Sequence, residues 1–193
     1  MVSWFVAQRS FWELLLGELE MPFFTNVFCH SKKPIITTHN NKPGDIDILL
    51  INPQEPAYSI AIECKKVNIS TSLGSEKINK INNIKGAINQ TKGLLEMGFH
   101  KVYLAIITGC YGAENTDGNY FYRGMGEQNY QKLYDFPDRE NPDSRVGLIF
   151  VEVIQPTGNS LNHTGVLCLC IDKFAKEHEQ SRKITEKIKL ISF

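Results

Sequence analysis

No stretch of this sequence is apolar for long enough to span a bilayer, and its opening residues lack the basic, apolar and small-residue pattern of a secretory signal. Net charge is missing too. The 21 basic residues balance 21 acidic ones, so the chain has none of the cationic surplus that marks many nucleic-acid binders. There is no Cys-x-x-Cys pair, no metal-ligand spacing among the five histidines, no Ser-His-Asp motif and no glycine-rich phosphate loop. The cysteines Cys29, Cys64, Cys110, Cys168 and Cys170 are an odd set, and the alternation around Cys168 and Cys170 reads as core thiols of a strand rather than ligands or disulfide partners. Internal repeats and low-complexity tracts are absent. These absences point away from membrane proteins and disulfide scaffolds. They leave a cytoplasmic chain of 193 residues, 42% hydrophobic, as one well-buried domain over 1–193.

What is present is concentrated in one stretch. Pro43-Gly44-Asp45-Ile46-Asp47 opens the apolar run Ile46 to Ile51, Asn52-Pro53-Gln54-Glu55-Pro56 breaks it, and Ile60-Ala61-Ile62-Glu63-Cys64-Lys65-Lys66 follows. Side chains two apart on a strand share a face, so Glu63 and Lys65 point one way while Ile60, Ile62 and Cys64 point the other. The first run is apolar on both faces, which suits a strand covered on both sides. Reversing the chain at the prolines brings Asp47 near Glu63 and Lys65.

On Pro43, Asp47, Glu63 and Lys65, with sixteen positions from Asp47 to Glu63, the chain resembles the PD-(D/E)XK nuclease superfamily, the restriction-endonuclease-like fold. The resemblance covers about residues 1–108 by element order. It implies a three-layer α/β core, a central mixed sheet flanked by helices in the order α-β-β-β-α-β. The proline-aspartate pair is interrupted here, so either Asp45 or Asp47 could be the ligand; Asp47 is favoured because it abuts the apolar strand. The resemblance also implies a glutamate of the first helix at the metal site. Glu13 matches best, with Glu18 and Glu20 as rivals, and a glutamate simply facing water is the plain alternative. Gln90 stands where several branches carry a site-contacting glutamine, but Leu94 replaces the tyrosine that completes that signature.

The residue types suit phosphodiester hydrolysis. That reaction needs a nucleophilic water and a stabilised leaving oxyanion, both tasks for a hard divalent cation. Mg2+, with Mn2+ as a substitute, would be held by Asp47, Glu63 and the carbonyl of Cys64. Lys65 would orient the attacking water or offset charge on the phosphate. Lys65, Lys66, Lys77, Lys80, Lys85 and Lys92, with Glu76 as the one acid between them, could track nucleic-acid phosphates or simply form a solvated face. The expected partner is DNA, cut by a metal-dependent endonuclease of restriction, defence or repair, and a duplex cutter would be a homodimer. The alternative is an inactive nuclease-like module that binds nucleic acid or protein.

Flanking patterns complete the reading. Phe5, Phe11, Trp12, Leu15, Leu16 and Leu19 recur at helical spacing from Trp4 to Glu20. Phe23 to His30 is the expected first strand. Ser75 to Met97 reads as one helix, capped by Ser75 and stopped by Gly98. Small neighbours of Gln90, namely Gly86, Ala87 and Gly93, would let that helix approach the sheet. Lys101 to Thr108 reads as a buried strand. The stretch 109–145, rich in Tyr, Phe and Gly, reads as a loop-rich insertion: a base-stacking lid with Arg123 on phosphate, a dimer surface, or a segment packed by its own aromatics. Val146 to Ile154 and Gly165 to Ile171 read as an antiparallel pair extending the sheet, and Lys173 to Lys189 as a solvent-exposed closing helix.

Overall fold

In a computed structural model the chain is described over residues 9–35, 45–72, 75–111, 113–114, 120–121, 127–140, 142–155 and 166–191. The described elements run α1 (Arg9–Glu18), β1 (Asn26–Ser31), β2 (Ile46–Ile51), β3 (Ile60–Ser72), β4 (Ser75–Asn79), α2 (Asn83–Met97), β5 (Lys101–Tyr111), β6 (Ala113–Glu114), β7 (Tyr120–Phe121), α3 (Glu127–Arg139), β8 (Gly147–Gln155), β9 (Val166–Lys173) and α4 (Arg182–Lys189). A seven-stranded mixed sheet follows the path β1-β2-β3-β5-β8-β9, with β4 folded back on β3. The β3–β5 and β5–β8 pairs are parallel; the β1–β2, β2–β3, β3–β4 and β8–β9 pairs are antiparallel.

Strand alternation divides the apolar side chains into two layers. Ile48, Leu50, Ile60, Ile62, Cys64, Tyr103, Ala105, Ile107, Ile149 and Val151 pack with Phe11, Leu15, Leu16 and Leu19 of α1 and the loop that follows it. Leu49, Ile51, Ala61, Val67, Leu104, Ile106, Leu148 and Phe150 pack with α2 through Ile84, Ala87, Ile88 and Leu94, and with α4 through Ile184 and Ile188. The chain is therefore α/β, a mixed sheet with helices on both faces. The strands β2, β5 and β8 are buried on both sides, which is why their sequences are almost continuously apolar. Among the described residues no helix is long and apolar enough to cross a membrane.

Several elements differ from what local pattern suggests. Ser75 does not cap a helix: Ser75–Asn79 is a strand, pairing Ile78 with Ile69 and Lys77 with Ser70, and the helix starts at Asn83. The hairpin uses backbone groups that a helix would have taken. At the other end Gly98 does stop the helix, in the left-handed conformation (φ 87°) with its N–H on the Leu95 carbonyl. Gly86 has open space around its Cβ position, so it is not what lets the helix approach the sheet; Ala87 and Gly93 are the buried small residues. The order is consequently α-β-β-β-β-α-β over the first half.

The closing helix is shorter than its lysine-glutamate pattern implies, and it is not a solvated element. Residues 174–181 run across the sheet end, where the N–H groups of Lys176, His178 and Ser181 bond to the carbonyls of Arg145, His100 and Gly98. Gln180 holds this segment to the β2–β3 turn, accepting from the Ser59 N–H and donating to the Pro56 carbonyl and Thr185 Oγ1. Only from Arg182 does the helix begin, with Ser181 as its cap, and Ile184 and Ile188 are buried. Within 109–145, Glu127–Arg139 is helical; Leu133 enters the core and the Tyr134 ring stacks on Phe150. Gly112 and residues 115–119, 122–126 and 141, including Arg123, lie outside the described residues. Cys168 and Cys170 are exposed rather than core thiols, because the other alternating set of β9, Leu167, Leu169 and Ile171, is the one that packs inward.

Candidate active site

The β2–β3 pairing creates an interrupted sheet edge. β2 is in register with β3 at Ile48↔Ile62, Leu49↔Ala61 and Leu50↔Ile60, and β4 takes up the same strand again only at Asn68. Between Ile62 and Asn68 that edge of β3 has no ladder partner among the described residues. There the Cys64 N–H donates to Asp47 Oδ2 at 2.8 Å, a side chain replacing a strand carbonyl as acceptor. That bond fixes the Asp47 carboxylate. Continuing the Ile48↔Ile62 register by one position sets Asp47 opposite Glu63, and alternation sets Asp47, Glu63 and Lys65 together on the α2 side of the sheet.

Glu63 is the least comfortable residue in this group. It is only 3% exposed, and its Oε2 is buried without a hydrogen-bond partner among the described residues. Burial pushes its carboxyl up to about 8, helped by the negative charge of Asp47 and opposed by Lys65. Burial likewise raises Asp47, less so because the Cys64 N–H, His30 and Lys65 favour its charged form. Two carboxylates that disfavour each other's charge in a desolvated corner are the usual setting for a bound cation or a shared proton.

A third group joins from β1. His30 lies at φ 51°, and its Nδ1 is 3.3 Å from Asp45 Oδ2 and 3.6 Å from Asp47 Oδ1. One ligand atom from each of His30, Asp45 and Asp47 falls within a set whose members all lie within 4.8 Å of one another. Glu63 stands outside that set, and the negative charges of Asp47 and Asp45 help raise its carboxyl. His30 has no motif around it in the sequence. Its only signal is positional, since β1 pairs with β2 through Cys29↔Ile48 and Ser31↔Ile46 and so carries His30 to Asp47.

The other sequence candidates are distributed more widely. Glu13 is exposed on α1, paired with Arg9 at 2.7 Å, and α1 covers the opposite sheet face from Glu63. Glu18 and Glu20 are exposed as well. The Cys64 thiol side lies on the α1 layer, lining the same apolar contact as Phe11 and Leu15, while its N–H serves Asp47. Gln90 is half-buried on α2, between the buried Ala87 and Leu94, and makes no hydrogen bond among the described residues. Lys66, Lys80 and Lys92 are exposed; Lys85 is paired with Glu140 at 2.9 Å, and the Lys77 side chain lies outside the described residues.

The donor set fits a hard divalent cation. Carboxylate oxygens at Asp47 and Glu63 offer negative charge, Asp47 is oriented by a backbone N–H, and the orphaned Glu63 Oε2 lacks a partner that a cation would supply. No protein-family model, curated protein or solved structure matches this chain.

Proposed function

We propose that this protein is a metal-dependent nuclease of the PD-(D/E)XK type, hydrolysing phosphodiester bonds of DNA at Asp47, Glu63 and Lys65. The observation that carries the reading is the buried Glu63 carboxylate, its Oε2 without a partner among the described residues, set beside Asp47 and Lys65 at the gap in the β3 edge. A structural acid in a dry layer would cost free energy with no return, whereas an acid awaiting a cation explains its own desolvation. The mixed sheet, with the β3-α2-β5 crossover placing a helix over the site, is compatible with the restriction-endonuclease-like core.

In this reading Asp47 and Glu63 hold Mg2+ or Mn2+, with the Cys64 carbonyl as a further oxygen. When bound, the cation supplies Lewis acidity and a more acidic water. The chain's own contribution is orientation and charge. The Cys64 N–H keeps Asp47 from rotating, so its second oxygen, Oδ1, stays directed to the site. Lys65, on the same strand face as Glu63, positions the attacking water or offsets charge accumulating on the phosphate oxygens. The hydrophobic layer beneath Glu63 keeps these interactions in a low-dielectric setting. Exposed Lys80 and Lys92 are available to DNA phosphates, whereas Lys66 alternates to the α1 face of β3, away from Glu63 and Lys65. Cutting both strands of a duplex would pair two such chains, which a solution mass measurement would detect.

The test is cleavage of a plasmid and a single-stranded circle with Mg2+ or Mn2+, comparing wild type with Asp47→Ala and Lys65→Ala. Metal-dependent cleavage lost in both variants supports the reading. Metal-independent nucleic-acid binding that survives both substitutions, without cleavage, would instead favour a binding module on the same scaffold.

A further inference from the structure

The carboxylate pair does not account for His30. The His30 imidazole nitrogen sits 3.3 Å from one aspartate and 3.6 Å from another, and His30 is the member that β1 contributes to the set of three. The shorter separation lies within, and the longer just beyond, the spacing of adjacent ligands around a first-row ion, roughly 3.0–3.4 Å for metal–ligand distances near 2.1 Å. A histidine placed only to neutralise two aspartates would serve equally well as a lysine. A ring nitrogen aimed between two carboxylates is instead a mixed nitrogen and oxygen donor set.

We propose that His30 is a metal ligand, joining Asp47 and Asp45 on the cation of the proposed centre, and that it makes the centre selective for Mn2+ and other first-row transition ions over Mg2+. This deepens the proposed reading and rests on Asp47 and Glu63 being ligands. The selectivity follows from donor chemistry. Mg2+ takes oxygen ligands and gains little from an imidazole, whereas Mn2+, Co2+ and Zn2+ bind imidazole nitrogen readily. Geometry supports the assignment on two independent counts. The donor atoms converge on one point of the fold from β1 and from the start of β2, although fifteen positions separate His30 from Asp45. The buried Glu63 Oε2, on β3 opposite Asp47, has no hydrogen-bond partner among the described residues to compete with a cation.

The experiment uses the full chain, with Mn2+ and Mg2+ as probes and chelator-treated protein as the start. Binding is measured by calorimetric titration and by the electron paramagnetic resonance signal of free Mn2+. Wild type, His30→Ala, His30→Gln and Asp47→Ala are compared, each checked for folding by circular dichroism. His30→Ala is expected to lose Mn2+ affinity about tenfold or more while Mg2+ affinity changes less than about twofold. Bound Mn2+ in the wild type is expected to show nitrogen hyperfine modulation that is absent in His30→Gln.

Equal losses for both ions, or no nitrogen coupling in the wild type, would overturn the assignment of His30. The wild-type spectrum decides the matter even if a variant fails to fold. If His30→Ala binds Mn2+ as the wild type does while Asp47→Ala does not, His30 is no ligand but the carboxylate centre stands. A wild type that binds neither ion removes both readings at once.

Discussion

The two faces of the central sheet use the same strands for opposite ends. Against α1, the side chains of β2, β3, β5 and β8 meet Phe11, Leu15, Leu16 and Leu19 in an apolar layer. Against α2, the apolar layer is equally well buried until it reaches Glu63, where a carboxylate with 3% exposure and an oxygen without a partner among the described residues stands next to Asp47. One face stabilises the fold. The other gives up some of that stability at one point, and such local departures from a dry, satisfied interior concentrate where chemistry is done.

The comparison breaks most sharply if the polar face can be altered without loss of function. Under the proposed reading Asp47→Asn, which keeps an acceptor for the Cys64 N–H, or Lys65→Ala lowers the cleavage rate about 100-fold or more while leaving the melting transition close to wild type. A variant that unfolds, or one that cuts normally, would erase the distinction. The reciprocal change on the α1 face, Leu15→Ala, is expected to cost about 2–5 kcal/mol in urea unfolding, because it empties a fully buried position. Its folded fraction should still bind metal with wild-type affinity.

A smaller effect, with a defined sign, comes from Glu63. Its folded-state value of about 8 lies above the ordinary carboxylate value of 4.5, so the folded protein holds its proton more tightly than the unfolded chain. The associated stability is fully present below pH 4.5 and is lost as pH rises towards 8. In chelator, therefore, wild type is expected to lose about 1–4 kcal/mol relative to Glu63→Gln between pH 4.5 and 8.5. Added Mn2+ should restore wild type and not the variant. Parallel pH profiles for the two proteins would show that Glu63 is not held in the dry environment described above. Smallest of all is Glu13→Ala, on the opposite face and fully compatible with solvent: within about 0.5 kcal/mol in stability and without effect on cleavage.

Much of this was legible in the chain itself, for reasons of period. The two-residue repeat of a strand requires Glu63 and Lys65 to share a face opposite Ile62 and Cys64, whatever surrounds them. The breaks at Pro53 and Pro56 require a reversal, and the antiparallel register that results brings Asp47 to Cys64. His30 was not legible, because nothing local ties it to a pair of aspartates in the next strand. That Glu13 lies across the sheet from Glu63 is not legible for a related reason: helical spacing specifies which side of α1 is apolar, but not which face of the sheet α1 covers. Cys168 and Cys170 looked like core residues since alternation names two sets without saying which is inside. On β9, an edge strand, that choice depends on what lies over each face.

The same division holds for the helix ends. Gly98 could be read as a stop because only a residue free to adopt positive φ ends a helix there easily. The start could not, since Ser75–Asn79 is helix-compatible in pattern and becomes a strand only because Asn68–Ser72 offers it a ladder. Residues 174–181 likewise forgo helix for bonds to Arg145, His100 and Gly98, partners dozens of positions away. The sequence by itself determined the apolar strands, the face that Glu63 and Lys65 share and the turn that returns Asp47 to them, because those depend on neighbours along the chain. Tertiary structure alone decided that α1 and α2 take opposite faces, that His30 meets Asp45 and Asp47, and that Glu63 is buried with its Oε2 lacking a partner among the described residues, because burial and long-range pairing are properties of segments brought together only by folding.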